Sequence, residues 1–284
     1  MPEIPEVKNM WRNINNLNIK TINSITAVSG RYTKNNIKDI QLLKFPLNTN
    51  KVCTKGKFLW IETNNNENNE IIYICFTFGL TGHLNHTTDM KSIDNILYVR
   101  VIIEYIDINN KINFLYFSDK LGYGTINISK DISKKLYNLG YDIIEDDVKD
   151  NDVIRIFRNK NNYNICVLLM DQSVLSGIGN YLKSEILYET KISPDVYIRD
   201  LSDEQLIDLY RVSKSLATLH YNLSEYYIDD NTNSLKVYKR KVDPYGNIIN
   251  TKKTLDGRKT YFIEHITSNN IKLKTIKPFV LKLK

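Results

Sequence analysis

Leu169-Met-Asp-Gln172-Ser-Val-Leu-Ser-Gly177-Ile-Gly179-Asn180-Tyr-Leu-Lys-Ser-Glu185 divides into two helical runs with a glycine-bearing break between them. Val167 to Met170 leads in with helical spacing, and Tyr181 to Tyr188 resumes it. Gly177 and Gly179 permit a tight turn that residues with a Cβ resist. The N–H groups that open the second run suit a phosphate, and the Asn180 side chain can add a donor to the same anion. Taken alone, the stretch also reads as a helix hairpin with a packing glycine.

Working outward, Val153, Ile156 and Phe157 mark a further helix, and Ser202-Asp-Glu-Gln205 is a capping box that opens a long one running toward Tyr226. Residues 131–150 are polar and acidic and read as a linker. Before them, from Ile19 to about Ser129, short β-rich runs alternate with polar turns. Among these runs are Lys57-Phe-Leu-Trp-Ile-Glu, Ile71-Ile-Tyr-Ile-Cys-Phe, Leu97-Tyr-Val-Arg-Val-Ile-Ile-Glu-Tyr and Asn113-Phe-Leu-Tyr-Phe-Ser. That texture predicts a sandwich of antiparallel strands. Val7, Met10, Trp11, Ile14 and Leu17 place an amphipathic helix ahead of it. After Asn231 the chain returns to hairpin texture around Leu255-Asp-Gly-Arg258, and residues 268–284 form a basic tail. The class expected is α+β in two domains.

The chain of 284 residues is 42% hydrophobic and 25% charged, enough for two ordinary cores. A net charge of +7 is compatible with a polyanionic partner. It has no apolar run of about 18 residues and no basic-then-apolar leader, so an intracellular protein is expected. Cys53, Cys75 and Cys166 form no C-x-x-C pair, which fits free thiols in a reducing compartment.

The first residues carry the chemistry. Met1-Pro2-Glu3-Ile4-Pro5-Glu6-Val7 offers a secondary amine at Pro2 once Met1 is removed. An α-amino group with a pKa of about 8 is partly neutral at physiological pH and attacks aldehyde-level carbons. Proline yields an iminium that stays cationic, and Glu3 stands beside it to move protons. The plainer alternative is that Pro5-Glu6 simply opens a helix.

The whole pattern Pro-Glu-x-Pro-Glu-Val resembles the Fpg/Nei family of bifunctional DNA glycosylases. Thr54-Lys-Gly-Lys57-Phe-Leu resembles the family's Arg-Gly-Lys-Phe/Tyr-Leu motif, which implies that Lys57 reaches the phosphate beside the lesion. Phe78-Gly-Leu80-Thr-Gly-His is similar to its Gly-Met-Ser-Gly loop, with Leu80 as the residue that fills the space left by an everted base. Ser118-Asp-Lys-Leu121-Gly-Tyr123-Gly resembles Asp-Pro-Arg-Arg-Phe-Gly but replaces the arginine facing the orphaned base by Leu121 and keeps an aromatic wedge as Tyr123. Selectivity for the opposite base should weaken accordingly. The 169–185 stretch resembles the helix–two-turn–helix, its wording nearer the endonuclease VIII branch.

Val237-Tyr-Lys-Arg-Lys-x-x-Pro244 resembles the lead-in to the family's zinc finger, yet Tyr245 stands where the first cysteine would be. Gly257-Arg258-Lys-Thr-Tyr-Phe262 keeps the finger-tip wording. The resemblance therefore implies a zincless finger, with no zinc and no other cofactor.

It implies these divisions: 1–130, a β-sandwich with the N-terminal helix; 131–150, a linker; 151–234, the helix–two-turn–helix domain; 235–267, the finger; 268–284, the tail. Pro2, Glu3, Glu6 and Lys57 are the expected catalytic residues. Asn180, Arg258, Gly177 and Gly179 are expected at DNA, and Leu80, Leu121 and Tyr123 as void fillers. The implied function is base excision repair by a glycosylase and AP lyase acting on oxidised pyrimidines and hydantoin or ring-opened lesions. A short segment ahead of the finger favours these over 8-oxoguanine. The alternatives are an 8-oxoguanine-preferring glycosylase and a non-catalytic damage-binding protein of the same fold. The partner expected is double-stranded, or single-stranded, DNA with oxidised bases or abasic sites. The protein is expected to act as a monomer, away from membranes and wherever the DNA lies: nucleus, nucleoid or cytoplasmic replication site.

Overall fold

A computed structural model describes residues 2–65, 69–223 and 234–264. The basic tail, the last residues of the expected finger, the far end of the long helix and the segment before the finger lie outside these residues.

Helix α1 (Ile4–Asn15) starts where the sequence signals it, with Pro5 in its first turn and Glu3 and Glu6 forming a reciprocal cap. Its buried face presents Ile4, Val7, Met10 and Ile14 at helical spacing. Eight strands follow: β1 (Ile19–Ala27), β2 (Leu47–Lys55), β3 (Phe58–Asn65), β4 (Ile71–Thr77), β5 (Gly82–Thr87), β6 (Val99–Asp107), β7 (Ile112–Asp119) and β8 (Thr125–Ser129). Short helices α2 (Arg31–Asn35) and α3 (Met90–Ile93) interrupt them.

The strands pair antiparallel in the order β5-β7-β6-β1-β2-β3-β4-β8. The expected two layers are thus halves of one continuous sheet. Only Thr21–Asn48 and Ile22–Leu47 join β1 to β2, and the sheet folds over at that weak seam. Inner residues of both halves then meet: the rings of Phe76 on β4 and Phe117 on β7 lie 6.4 Å apart. Val7, Met10 and Ile14 of α1 complete this core.

The second half holds α4 (Ser133–Tyr137), β9 (Tyr141–Asp142), α5 (Asp150–Arg158), α6 (Ile165–Met170), β10 (Leu175–Ser176), α7 (Asn180–Thr190) and α8 (Asp203–Leu223). A hairpin of β11 (Asn250–Lys253) and β12 (Lys259–Phe262) closes it. The capping box forms as its residues dictate: Gln205 N donates to Ser202 Oγ at 3.2 Å, and Ser202 N to Gln205 Oε1 at 2.9 Å. Among the described residues no helix is long and apolar enough to cross a membrane.

Residues 131–150, expected as a linker, are packed into the fold. β9 pairs in parallel with β10, Ile143 is wholly buried, and buried Asp142 accepts hydrogen bonds from the amides of Gly56, Ile144 and Glu145. The acidic composition is real, but one of the acids faces inward because it has donors to accept.

Two cores meet at α1. Ile4 belongs to the core of the helical half, whereas Val7, Met10 and Ile14 belong to the sandwich. Lys8, 2% exposed, reaches from α1 to Glu145 at 2.9 Å and Asp142 at 3.7 Å. The first turn of α1, with Pro2 and Glu3 just ahead of it, is therefore clamped between both halves.

Candidate active site

Pro2 is buried at the floor of an open cleft of about 520 Å³. Lys57, Leu80, Tyr123, Gln172 and Arg258 also line it, so with Pro2 residues from six sequence-distant motifs converge there.

Glu3 is wholly buried beneath the cleft floor. Its carboxylate accepts from the amides of Gly179 at 2.7 Å, Tyr181 at 2.8 Å and Leu182 at 3.2 Å, the first turn of α7. The helix N-terminus that the sequence suggested for a phosphate is thus occupied by an internal anion, for the same reason of dipole and unpaired N–H groups. Gly179 is required there: a Cβ would lie 2.3 Å from Glu3 Cδ. Gly177 has φ +115°, its carbonyl accepts from Ile4 N at 3.1 Å, and a Cβ on it would collide with Ile4. Both glycines serve close approach of α1 to the two-turn segment. Asn180 points its amide at the Lys259 carbonyl of the hairpin, 3.0 Å away.

Burial, foremost, raises the Glu3 pKa from 4.5 to about 7; Lys57 and the α7 amides pull it down, and Glu6 pushes it up. Glu6 accepts from Glu3 N at 2.8 Å and from the Tyr181 hydroxyl at 3.0 Å. It orders the start of α1, directly after Pro2. Lys57 occupies the β2–β3 turn after Gly56, whose φ of +55° and contact with Ser176 press that turn onto the helical half. Its ammonium donates to the Ile178 carbonyl at 2.7 Å, and burial lowers its pKa. Gln172 braces the same segment, accepting from Gly177 N at 3.0 Å and donating to Ile178 O at 2.9 Å.

The rim carries apolar side chains in water. Leu80 is 37% exposed, Leu121 51% and Tyr123 64%. Burial preference alone would have made Leu80 a core residue; it sits instead on the Phe78–Thr81 turn. Asp119, 1% exposed, ties the two rim loops together. Its carboxylate accepts from Thr81 Oγ and from Gly124 N at 2.7 Å, while Thr81 Oγ accepts from Leu121 N at 2.9 Å. Leu121 lies beside the cleft rather than in its lining. Arg258 projects from the β11–β12 turn on the opposite wall, exposed at its tip.

Sequence reasoning missed Asp119, Tyr181 as a partner of Glu6, and the cleft residues Phe58 and Lys135, whose ammonium lies 5.6 Å from the Phe58 ring. Only Asp119 had a local signal, an acid just ahead of a Gly-x-Gly loop.

A buried acid next to Pro2 lies beneath a cleft lined by both a curled sandwich and a helical half with a hairpin, and this arrangement sets the class of fold. Residues 1–126 match the profile of the Formamidopyrimidine-DNA glycosylase N-terminal domain, and residues 139–221 that of the Formamidopyrimidine-DNA glycosylase H2TH domain. The chain belongs to the Fpg/Nei family, the DNA glycosylases and AP lyases of base excision repair. It is 29% identical over 291 residues to a formamidopyrimidine-DNA glycosylase of Prochlorococcus marinus, covering 92% of this chain and 98% of that protein. Endonuclease 8-like 3 of Bos taurus is 33% identical over 118 residues, 37% of this chain but only 18% of that longer protein. Lactococcus lactis Fpg bound to DNA containing an oxidised pyrimidine shares the fold with TM-score 0.77 at 20% identity, covering 94% of this chain and 100% of that one. The same enzyme with abasic-site DNA gives 0.76 at 19% identity.

Proposed function

We propose that this chain is a bifunctional glycosylase and AP lyase working through a Schiff base on Pro2. The observation that carries the reading is the pairing of a cleft-floor Pro2 with a buried Glu3 whose pKa lies near 7. An acid poised near the working pH donates a proton most effectively. Pro2 nitrogen attacks the anomeric carbon while Glu3 protonates the ring oxygen, so the sugar opens and the base departs. The iminium then acidifies the neighbouring C–H, and β- and δ-elimination cut the two flanking phosphates in turn. Lys57, Asn180 and Arg258 hold the backbone; Leu80, Leu121 and Tyr123 support the vacated stack.

Oxidised pyrimidines and hydantoin or ring-opened bases are the favoured substrates. Gln172 and the Gly-Asn-Tyr-Leu wording support the endonuclease VIII-like branch, and Leu121 supports relaxed opposite-base choice because it lacks the hydrogen bonds of a guanidinium. Borohydride trapping on an oligonucleotide with an oxidised pyrimidine tests the mechanism. Intact protein should form a covalent adduct and the Pro2→Gly variant none. No adduct from correctly processed protein, beside an active control enzyme, would leave the damage-binding alternative.

A further inference from the structure

Lys183 is 0% exposed, and its ammonium lies 2.6 Å from Asp256 Oδ2, whose side chain is 3% exposed. This charge pair joins the first turn of α7 to the turn of the β11–β12 hairpin, two residues before Arg258. On the hairpin side Asp256 also accepts from Thr254 Oγ. That hydroxyl lies 3.1 Å from the Arg258 carbonyl and 2.7 Å from Thr260 Oγ, and Thr254 N donates to the same carbonyl at 3.0 Å. A chain of contacts therefore runs from α7, whose first turn grips Glu3, to the backbone of Arg258.

Burying two charges is costly, and an apolar pair of similar volume would often stabilise the fold as well. What an ion pair supplies that an apolar pair does not is one fixed geometry. We propose that Lys183 and Asp256 are positioning residues that set the reach of Arg258 toward the DNA backbone from α7, a task independent of holding the hairpin folded. The inference rests on the reading of Arg258 as a backbone clamp.

Full-length Lys183→Met/Asp256→Leu, Thr254→Val and Arg258→Ala variants, titrated with a duplex bearing a stable abasic-site analogue at several salt concentrations, test it. The double variant should melt within a few degrees of wild type, bind about tenfold more weakly and lose about 1 from its salt slope, as one lost phosphate contact does. Arg258→Ala should show the same loss, and combining the two should add nothing. Thr254→Val keeps the charges paired and should weaken binding about threefold in the same direction. Should the double variant fail to fold, Thr254→Val decides: unchanged affinity and slope overturn the proposal. Full additivity with Arg258→Ala also overturns it. If Arg258→Ala alone has no effect, the clamp reading itself fails and this proposal with it. If Arg258→Ala weakens binding and the pair and Thr254 variants do not, only the positioning role falls.

Discussion

Glu3 sits under opposing influences. Burial pushes its carboxyl toward neutrality, while Lys57 and the amides of Tyr181 and Leu182 favour the anion; the balance raises it from 4.5 to about 7. Between those pH values the folded chain holds a proton that the unfolded chain has released. Stability should therefore fall as pH rises from about 4.5 to 7 and level off above, by up to about 3 kcal/mol from this group. Glu3→Gln should flatten that part of the profile, measured by urea unfolding at pH 5 and pH 8, and should abolish base release while abasic-site binding persists. An unchanged slope would mean that Glu3 is ionised throughout. Gly179→Ala should drive Glu3 from the α7 amides, and a displacement of about 1 Å can cost about 100-fold in excision rate. The N-terminal wording made Pro2 and Glu3 legible in the sequence. It did not reveal what fills the α7 N-terminus, because glycines announce an anion site without naming the anion, and here it lies 176 residues upstream.

At the scale of elements, the two rim loops behave as one unit because a single buried acid holds both. Leu80 and Tyr123 are exposed on these loops, and in the proposed role they would be covered by an unstacked duplex. Leu80→Ala and Tyr123→Ala should each weaken binding to a duplex abasic-site analogue by about tenfold, the scale of one stacking contact. Binding to the same lesion in a single strand, which has no void to fill, should change little. Equal losses on both substrates in fluorescence-anisotropy titrations would make these residues general DNA contacts. The strands themselves were readable: Ile112–Asp119 alternates between exposed or half-buried and buried positions without a break. The stretch 131–150 was not, since burial of Asp142 depends on the Gly56 amide and Lys8, both brought to it by the fold.

For the molecule as a whole, the question is what holds a finger hairpin to the helical half. Among the described residues no group of three or more His, Cys, Asp or Glu side chains is arranged to hold a metal ion. Tyr245, where the family has its first cysteine, is 81% exposed. The turn at 243–247 is gathered by Asp243, 4% exposed, which accepts from Tyr245 N at 2.9 Å, Asn247 N at 2.8 Å, Asn247 Nδ2 at 2.9 Å and the Tyr188 hydroxyl of α7 at 3.0 Å. Behind it Tyr188, Val237, Ile249 and Ile263 form a small apolar cluster. One carboxylate thus gathers turn amides and a helix residue around a point, as a bound cation gathers its ligands, with the charge reversed. Chelators should leave both the melting temperature and the excision rate unchanged, whereas Asp243→Ala should lower stability by about 2 kcal/mol as its charge-assisted donors lose their acceptor. Thermal melts with and without 1,10-phenanthroline, together with elemental analysis of the native protein, separate the two cases. Stoichiometric zinc, with activity lost on chelation, would return the hairpin to metal control and leave Asp243 as an ordinary turn residue.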